Sequence, residues 1–189
     1  TGVIIDTPNL GWKNFPLADM LGAEFKAPVV VDNDVNVGTY GEWCSTDLKS
    51  CNHLLGVFPG TGIGGGLCLQ GRPLQGLSHT EMGHVWVPRA GPSAFAGTCP
   101  YHGACLEGLA SGPAIAARWG QPAESLPEDH PAWTEHIGHL ARALCTFIYT
   151  LSPEIILIGG GVGGRAHLFP PLRQRVAELV NGYAPLPEI

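Results

Sequence analysis

The sequence is poor in charge, and positive charge is the scarcer sign. Lysine and arginine supply 10 of its 189 residues against 16 for aspartate and glutamate, which gives a formal net charge of −6 at pH 7. This balance makes the chain a poor ligand for nucleic acids and anionic membranes. No apolar run approaches the roughly 18 residues that a membrane-spanning helix needs, and the first residues carry no export signal. We therefore expect a cytoplasmic protein with neither a nucleic-acid nor a membrane partner.

Glycine and apolar side chains, in contrast, are abundant. The chain has 27 glycines, and hydrophobic residues make up 44% of it. Such a chain can bury a sizeable core, which excludes disorder as its main state, and its glycines suit the tight turns of phosphate-binding sites. The first residue is Thr1, and Pro185 to Ile189 form no evident final helix, so we expect a piece of a longer protein.

Apolar strands and amphipathic helices alternate along the chain. Runs of aliphatic and β-branched residues predict strands at residues 28–31, 54–58, 67–69 and 155–158. Apolar residues at helical spacing predict helices at residues 17–25, 35–43, 107–119, 133–151 and 172–180. This interleaving predicts an α/β fold, with a domain boundary near residue 52.

His136 and His139 lie three residues apart on the 133–151 helix, and we expect them on its solvated face.

A glycine-rich segment follows the 54–58 strand. Residues 60–66 read Gly-Thr-Gly-Ile-Gly-Gly-Gly, so backbone N–H groups can converge there on phosphate oxygens with few side chains in the way. The segment is not a Walker A loop, because no Gly-Lys-Ser/Thr follows it. The alternative is a glycine-rich hairpin turn without a ligand.

An acidic residue follows the 28–31 strand, where α/β folds bind ligands at the carboxyl ends of strands. Asp34 can accept the proton of a hydroxyl that attacks a phosphoryl group, and Asn33 can hydrogen-bond a polyol. The alternative is that one of these two residues caps the next helix.

Two cysteines and two histidines have the spacing of a metal site. Cys99, His102 and Cys105 lie three residues apart in one loop, and His84 can supply a fourth ligand. A Cys2His2 set with no vacant position predicts a structural Zn²⁺; the alternative is ordinary thiols and surface histidines. Such a metal would also fix the nearby carboxylates of Glu81 and Glu107 as acceptors for sugar hydroxyls, whereas without it both read as surface acids. The other four cysteines are expected to be free thiols.

Together these residues resemble a known family. The chain is similar to the ROK sugar kinases (repressor, open reading frame, kinase) along nearly all of its length. The resemblance is carried by several motifs: Pro8 to Trp12, Asp32 to Asn36, Gly60 to Gly66, Glu81 to His84, Cys99 to Glu107, Ser111-Gly112 and Ile156 to Gly161.

The resemblance implies an actin-like, ribonuclease H-like fold whose two lobes enclose ATP and a sugar. Residues 1–52 would be the remaining part of the N-terminal lobe, and residues 53–189 the C-terminal lobe. Members of the family open with an Asp-x-Gly-Gly-Thr phosphate loop that this chain does not contain, so the chain resembles the central portion of a longer kinase. A dimer is implied by the resemblance alone.

The resemblance also assigns roles to particular residues. Asp34 would be the general base, and the sugar would be held by Asn33, Glu81, His84 and Glu107. The phosphates of ATP, which arrives with Mg²⁺, would lie on the 60–66 loop, at Gly60, Thr61, Gly62 and Gly64. Adenosine would lie beside Gly159, Gly160 and Gly161, and zinc would bind His84, Cys99, His102 and Cys105.

The identity of the sugar is predicted by two conflicting likenesses. The zinc loop and His79 to His84 look like the zinc-containing bacterial fructokinases, whereas Asn9 to Asn14 and Phe58 to Gly62 look more like glucokinases. We expect phosphorylation of the 6-hydroxyl of fructose, with glucose as the alternative substrate. The residues are also compatible with a sugar-sensing repressor of the same family and with a catalytically incomplete fragment.

Overall fold

The computed structural model describes residues 2–7, 11–45, 47–89 and 94–189. The chain divides into two compact units, one ending at Asp34 and the other beginning at Val35. The predicted boundary at residue 52 concerns the lobes of a whole kinase and stays a prediction. Pro8, Asn9 and Leu10, which contribute to the family resemblance, lie outside the described residues.

The smaller unit holds a hairpin and one helix. Strands β1 (Ile4–Asp6) and β2 (Lys13–Phe15) pair antiparallel, and α1 (Leu17–Phe25) confirms the helix predicted there. The strand predicted at residues 28–31 was wrong: no described strand pairs with this segment, and Val30 is 92% exposed. β-branched residues favour an extended backbone, but a strand also needs a neighbour to accept its hydrogen bonds.

The larger unit is built on a mixed sheet of four strands. Its strand order is β5-β4-β3-β6, in which β3 and β6 are parallel and the other pairs antiparallel. The strands are β3 (His53–Pro59), β4 (Ile63–Leu69), β5 (Arg72–Pro73) and β6 (Ile155–Ile158). The strands predicted at residues 54–58, 67–69 and 155–158 are confirmed, as β3, the second part of β4, and β6.

Helices cover both faces of this sheet. Their bounds are α2 (Asp34–Ser45), α3 (Leu106–Ala110), α4 (Gly112–Trp119), α5 (Pro131–Leu151), α6 (Gly160–Gly163) and α7 (Phe169–Val180). The main core lies between the sheet and helices α3, α5 and α7, and a smaller apolar cluster on the other face includes Leu54, Cys68 and Trp43. None of the described helices combines the length and the apolar character that crossing a membrane takes.

Two histidines of α5 lie in the core and not on a solvated face. His136 and His139 are each 1% exposed, so the expectation for them was wrong. The Nδ1 atom of His136 lies 3.0 Å from the carbonyl oxygen of Ala110 in α3. Burial lowers the pKa of His136 to about 4 and also lowers the pKa of His139, so His136 is neutral at pH 7.

Only the first part of the glycine-rich segment, residues 60–62, forms a turn. Strand β4 begins at Ile63, so the expectation of a loop through Gly66 was wrong. A Cβ at Gly65 would lie 2.7 Å from the Cβ of Met82, and one at Gly66 would lie 2.7 Å from the carbonyl oxygen of Val35 in α2. These strand glycines therefore allow neighbouring segments to approach both faces of β4.

Candidate functional site

The four predicted metal ligands converge on one point. One ligand atom each from His84, Cys99, His102 and Cys105 lie within 4.8 Å of one another. The Nδ1 atom of His84 is 3.6 Å from both sulfur atoms, and the Nδ1 of His102 is 3.6 Å from the Cys99 sulfur. The six cysteines form no disulfide.

This geometry fits a tetrahedral zinc ion. Zn–S and Zn–N bonds of about 2.3 and 2.0 Å place sulfur and nitrogen ligands about 3.6 Å apart in a tetrahedron. Cys99 and Cys105 are buried, and burial raises the pKa of the Cys105 thiol. A thiolate at this position therefore needs a cation beside it. Because Nδ1 of His84 faces the thiols, its Nε2 is left for another partner.

Backbone hydrogen bonds join the loop that carries Cys99, His102 and Cys105, here called the metal loop, to its neighbours. The N–H of Leu106 donates to the carbonyl of Val85 at 2.9 Å, and the N–H of Thr98 donates to the carbonyl of Gly108 at 2.9 Å. Cys105 itself is the residue that precedes α3. The ligand loop and the first turn of α3 are therefore one structural element.

Two predicted sugar-binding acids flank the metal ligands, and each is held through one oxygen. Oε2 of Glu107, in the first turn of α3, accepts a 3.0 Å hydrogen bond from the N–H of Ile63. Oε1 of Glu81 lies 2.8 Å from Nε2 of His79. The backbone also joins Glu81 to the metal site, because the N–H of His84 donates to the Glu81 carbonyl at 3.0 Å.

The turn at Gly60–Gly62 borders both this acidic group and a large cleft. The cleft has a volume of about 640 Å³ and is lined by ten residues: Gly60, Thr61, Gly112, Pro113, Ala116, Pro122, Ala123, Glu124, Gly161 and Val162. On the other side of the turn, a Cβ at Gly62 would lie 2.8 Å from Oε2 of Glu107. One short turn therefore separates a cleft of about 640 Å³ from a carboxylate on the element that carries the candidate metal ligand Cys105.

The three glycines predicted beside adenosine have different surroundings. Gly161 lines the cleft, is exposed, and has no atom within 4 Å of the position of a Cβ. Gly160 has φ +77°, and a Cβ there would overlap the Pro59 carbonyl. A Cβ at Gly159 would lie 2.8 Å from the Phe58 ring. Gly64, predicted at the phosphates, packs within β4 against Val35.

Asn33 and Asp34 lie at the beginning of α2. Asp34 is the first residue of the helix and is exposed, and Asn33 precedes it and is half-buried. A carboxylate in the first turn also interacts favourably with the helix dipole, so both the catalytic and the capping interpretation suit this position. The role of Asp34 as general base stays a prediction.

Sequence reasoning missed the walls of the cleft opposite the glycines. Pro113, Ala116 and Ala123 have small apolar side chains without a titratable, nucleophilic or metal-binding group, so no motif could have identified them. The His79 contact with Glu81 was also missed, because residues 79–81 belong to no strand and two histidine–glutamate neighbours carry no motif.

The comparisons with known proteins identify the class. The family model described as "ROK family" matches residues 1–189, and the chain belongs to this family. It has the α/β fold of ROK sugar kinases, which is of the actin-like type.

Relatives agree with this class. A putative fructokinase of Bacillus subtilis is 41% identical over 188 residues, which cover 100% of this chain and 63% of the relative. A glucokinase of Halalkalibacterium halodurans is 31% identical over 206 residues, covering 92% of this chain and 61% of the relative. The crystal structure of a ROK hexokinase from Thermus thermophilus matches with a TM-score of 0.78 and 25% identity, covering 99% of this chain and 67% of that one. The chain thus spans less than two thirds of the length of the fructokinase and of the glucokinase.

Proposed function

We propose that this chain is part of a cytoplasmic ATP-dependent hexose kinase that transfers the γ-phosphoryl group of ATP to the 6-hydroxyl of fructose. The observation that carries the proposal is the position of the Gly60–Gly62 turn. It lines the 640 Å³ cleft on one side and contacts Glu107 on the other. A nucleotide in the cleft and a sugar at the acids would meet at this turn, as phosphoryl transfer requires.

The cleft itself favours a kinase over a sugar sensor. A sensor needs a hexose site but no nucleotide site, whereas this cleft of about 640 Å³ has glycines at positions 60, 112 and 161 among its lining residues. Its lining includes one acidic side chain, Glu124, and no lysine or arginine. Backbone N–H groups of the glycines would therefore bind the phosphates, and Mg²⁺ that arrives with ATP would neutralise their charge.

Asp34 would remove the proton of the attacking 6-hydroxyl, and Asn33 would hydrogen-bond the sugar. Glu81, Glu107 and the Nε2 of His84 would accept or donate hydrogen bonds to ring hydroxyls. Zinc at His84, Cys99, His102 and Cys105 would have a structural role, because four protein ligands leave no position for water or substrate.

Fructose is the proposed substrate, and glucose is the alternative. The 41% identical relative is named a putative fructokinase and the 31% identical one a glucokinase. The contacts of Glu81 with His79 and of Glu107 with the N–H of Ile63 orient these acceptors, so a ring with hydroxyls at other carbons would match them less well.

The test is to assay the whole protein with Mg-ATP and a panel of hexoses, following ADP release. We expect kcat/KM to be larger for fructose than for glucose. A preference for glucose of about tenfold or more would refute the fructose assignment, and the absence of transfer to every hexose would refute the kinase.

Asp34→Asn tests the proposed general base, because asparagine keeps the size and hydrogen bonding of aspartate but cannot accept the proton. Turnover should fall by at least about 10²-fold, the scale of a lost general base, with a much smaller change in sugar affinity. If turnover survives, Asp34 is a helix-terminal acid and the mechanism is wrong.

A further inference from the structure

His79 is in contact with one of the proposed sugar-binding acids. Its Nε2 lies 2.8 Å from Oε1 of Glu81, and both side chains are on the surface, 45% and 62% exposed. Between them, the Thr80 hydroxyl donates a 2.6 Å hydrogen bond to the carbonyl of Gly65 in β4. The residue between the pair is thus anchored to the sheet, while the pair itself is free to face a ligand.

The contact limits how Glu81 can meet a sugar. A surface glutamate ordinarily samples several rotamers, and ordering it on binding costs free energy. With Oε1 paired to His79, the carboxylate is oriented before the ligand arrives, and Oε2 is the oxygen that remains for a hydroxyl. Glu107 is arranged in the same way, because its Oε2 accepts from the N–H of Ile63.

We propose that His79 is a positioning residue for the hexose, acting through Glu81. It touches no reacting atom. It fixes the direction of one carboxylate oxygen, and so determines which ring hydroxyl that oxygen can accept from. The neutral imidazole suffices, since its Nε2–H tautomer donates to the carboxylate. This inference rests on the proposed kinase function and on the predicted role of Glu81.

The experiment measures steady-state constants of the whole protein for sugar and ATP. His79→Phe keeps a planar ring but removes the donor, and His79→Gln keeps a donor. We expect His79→Phe to raise the KM for the preferred hexose about threefold to fivefold, the upper end of the range for an exposed pair. kcat and the KM for ATP should stay within about twofold, and His79→Gln should recover most of the sugar affinity.

Two further variants separate positioning from a general effect. In a Glu81→Ala background, which removes the acceptor, His79→Phe should have little additional effect, because the two residues act as one unit. Leu77→Ala alters the same loop at a fully exposed side chain, and it should behave like the parent.

The possible results distinguish this inference from the proposed function. If hexoses are phosphorylated but His79→Phe leaves the sugar KM unchanged, or acts equally in the Glu81→Ala background, the positioning role is wrong and the kinase stands. A fall in kcat together with a lower melting temperature would mean a merely structural role. If no hexose is phosphorylated or bound, the proposed function fails, and this inference fails with it.

Discussion

Adjacent glycines at the edge of the cleft allow the nucleotide site to be tested separately from the fold. Gly161 lines the cleft and has open space where a Cβ would point, whereas Gly160 has φ +77° and a Cβ there would lie 2.9 Å from the carbonyl carbon of Pro59. A side chain at Gly161 should therefore enter the cleft without disturbing the protein. A side chain at Gly160 should strain the protein.

The magnitudes follow from these surroundings. The left-handed backbone costs a residue with a Cβ about 1–2 kcal/mol, and displacing the Pro59 carbonyl adds about 1–3 kcal/mol. Gly160→Ala should thus lose about 3 kcal/mol, which lowers the melting temperature of a domain of this size by about 6–12 °C. Gly161→Val, in an exposed helical turn, should change stability by less than about 1 kcal/mol.

The assays are thermal unfolding and calorimetric ATP binding on the whole protein. We expect Gly161→Val to weaken ATP binding at least about tenfold at an unchanged melting temperature, with Gly161→Ala intermediate, because a branched side chain occupies space that the nucleotide needs. Parent-like ATP binding by Gly161→Val would refute the placement of the nucleotide in this cleft. An unchanged melting temperature for Gly160→Ala would refute the packing argument.

Two other perturbations test the metal loop and the buried histidine. Cys105→Ser should lose the one zinc ion that we expect per chain and should unfold more easily, since a closed zinc site contributes directly to folding. Full zinc retention in metal analysis would exclude the assignment. The control is Cys44→Ser, which lies outside the cluster and should keep the metal. Because the pKa of His136 is lowered to about 4 in the folded protein, the unfolded chain binds more protons between about pH 6.5 and 4, and stability should fall as the pH falls through this window. His136→Gln should remove about 2 kcal/mol of the loss between pH 7 and 5 in urea unfolding; an equal pH dependence in parent and variant would contradict the burial of this group.

Periodic segments were predictable from the sequence because an apolar stripe at helical spacing indicates a helix that packs on the core, although the stripe did not show that His136 and His139 are buried with it. The 133–151 helix repeats its apolar residues over five turns, and α5 spans Pro131–Leu151 with Leu140, Leu144 and Ile148 buried. The clustering of the four candidate metal ligands was predictable for a related reason. Three of them are close in sequence, so the loop alone brings them near one another.

The remaining features depend on partners that are distant in the chain. A valine-rich segment at residues 28–31 has the composition of a strand, but the described residues provide no neighbouring strand for it. Glycines at 64, 65 and 66 read as a flexible loop, yet β3 pairs with them, and α2 and Met82 pack on them. His136 reads as a surface residue until α3 lies across it and supplies the Ala110 carbonyl.

The metal loop bears on both proposed substrate sites through one pair of helices. Helix α3 begins directly after the ligand Cys105 and carries Glu107, whose Oε2 holds the N–H of Ile63 at one end of the Gly60–Gly62 turn. Helix α4 follows after Ser111, and the N–H of its first residue, Gly112, donates to the carbonyl of Gly60 at the other end of the turn, at 2.8 Å. The turn is therefore held at both ends by segments that follow Cys105, one of the four candidate zinc ligands. A zinc ion that takes no part in bond breaking would in this way set the distance between sugar and nucleotide, on which the rate of phosphoryl transfer depends.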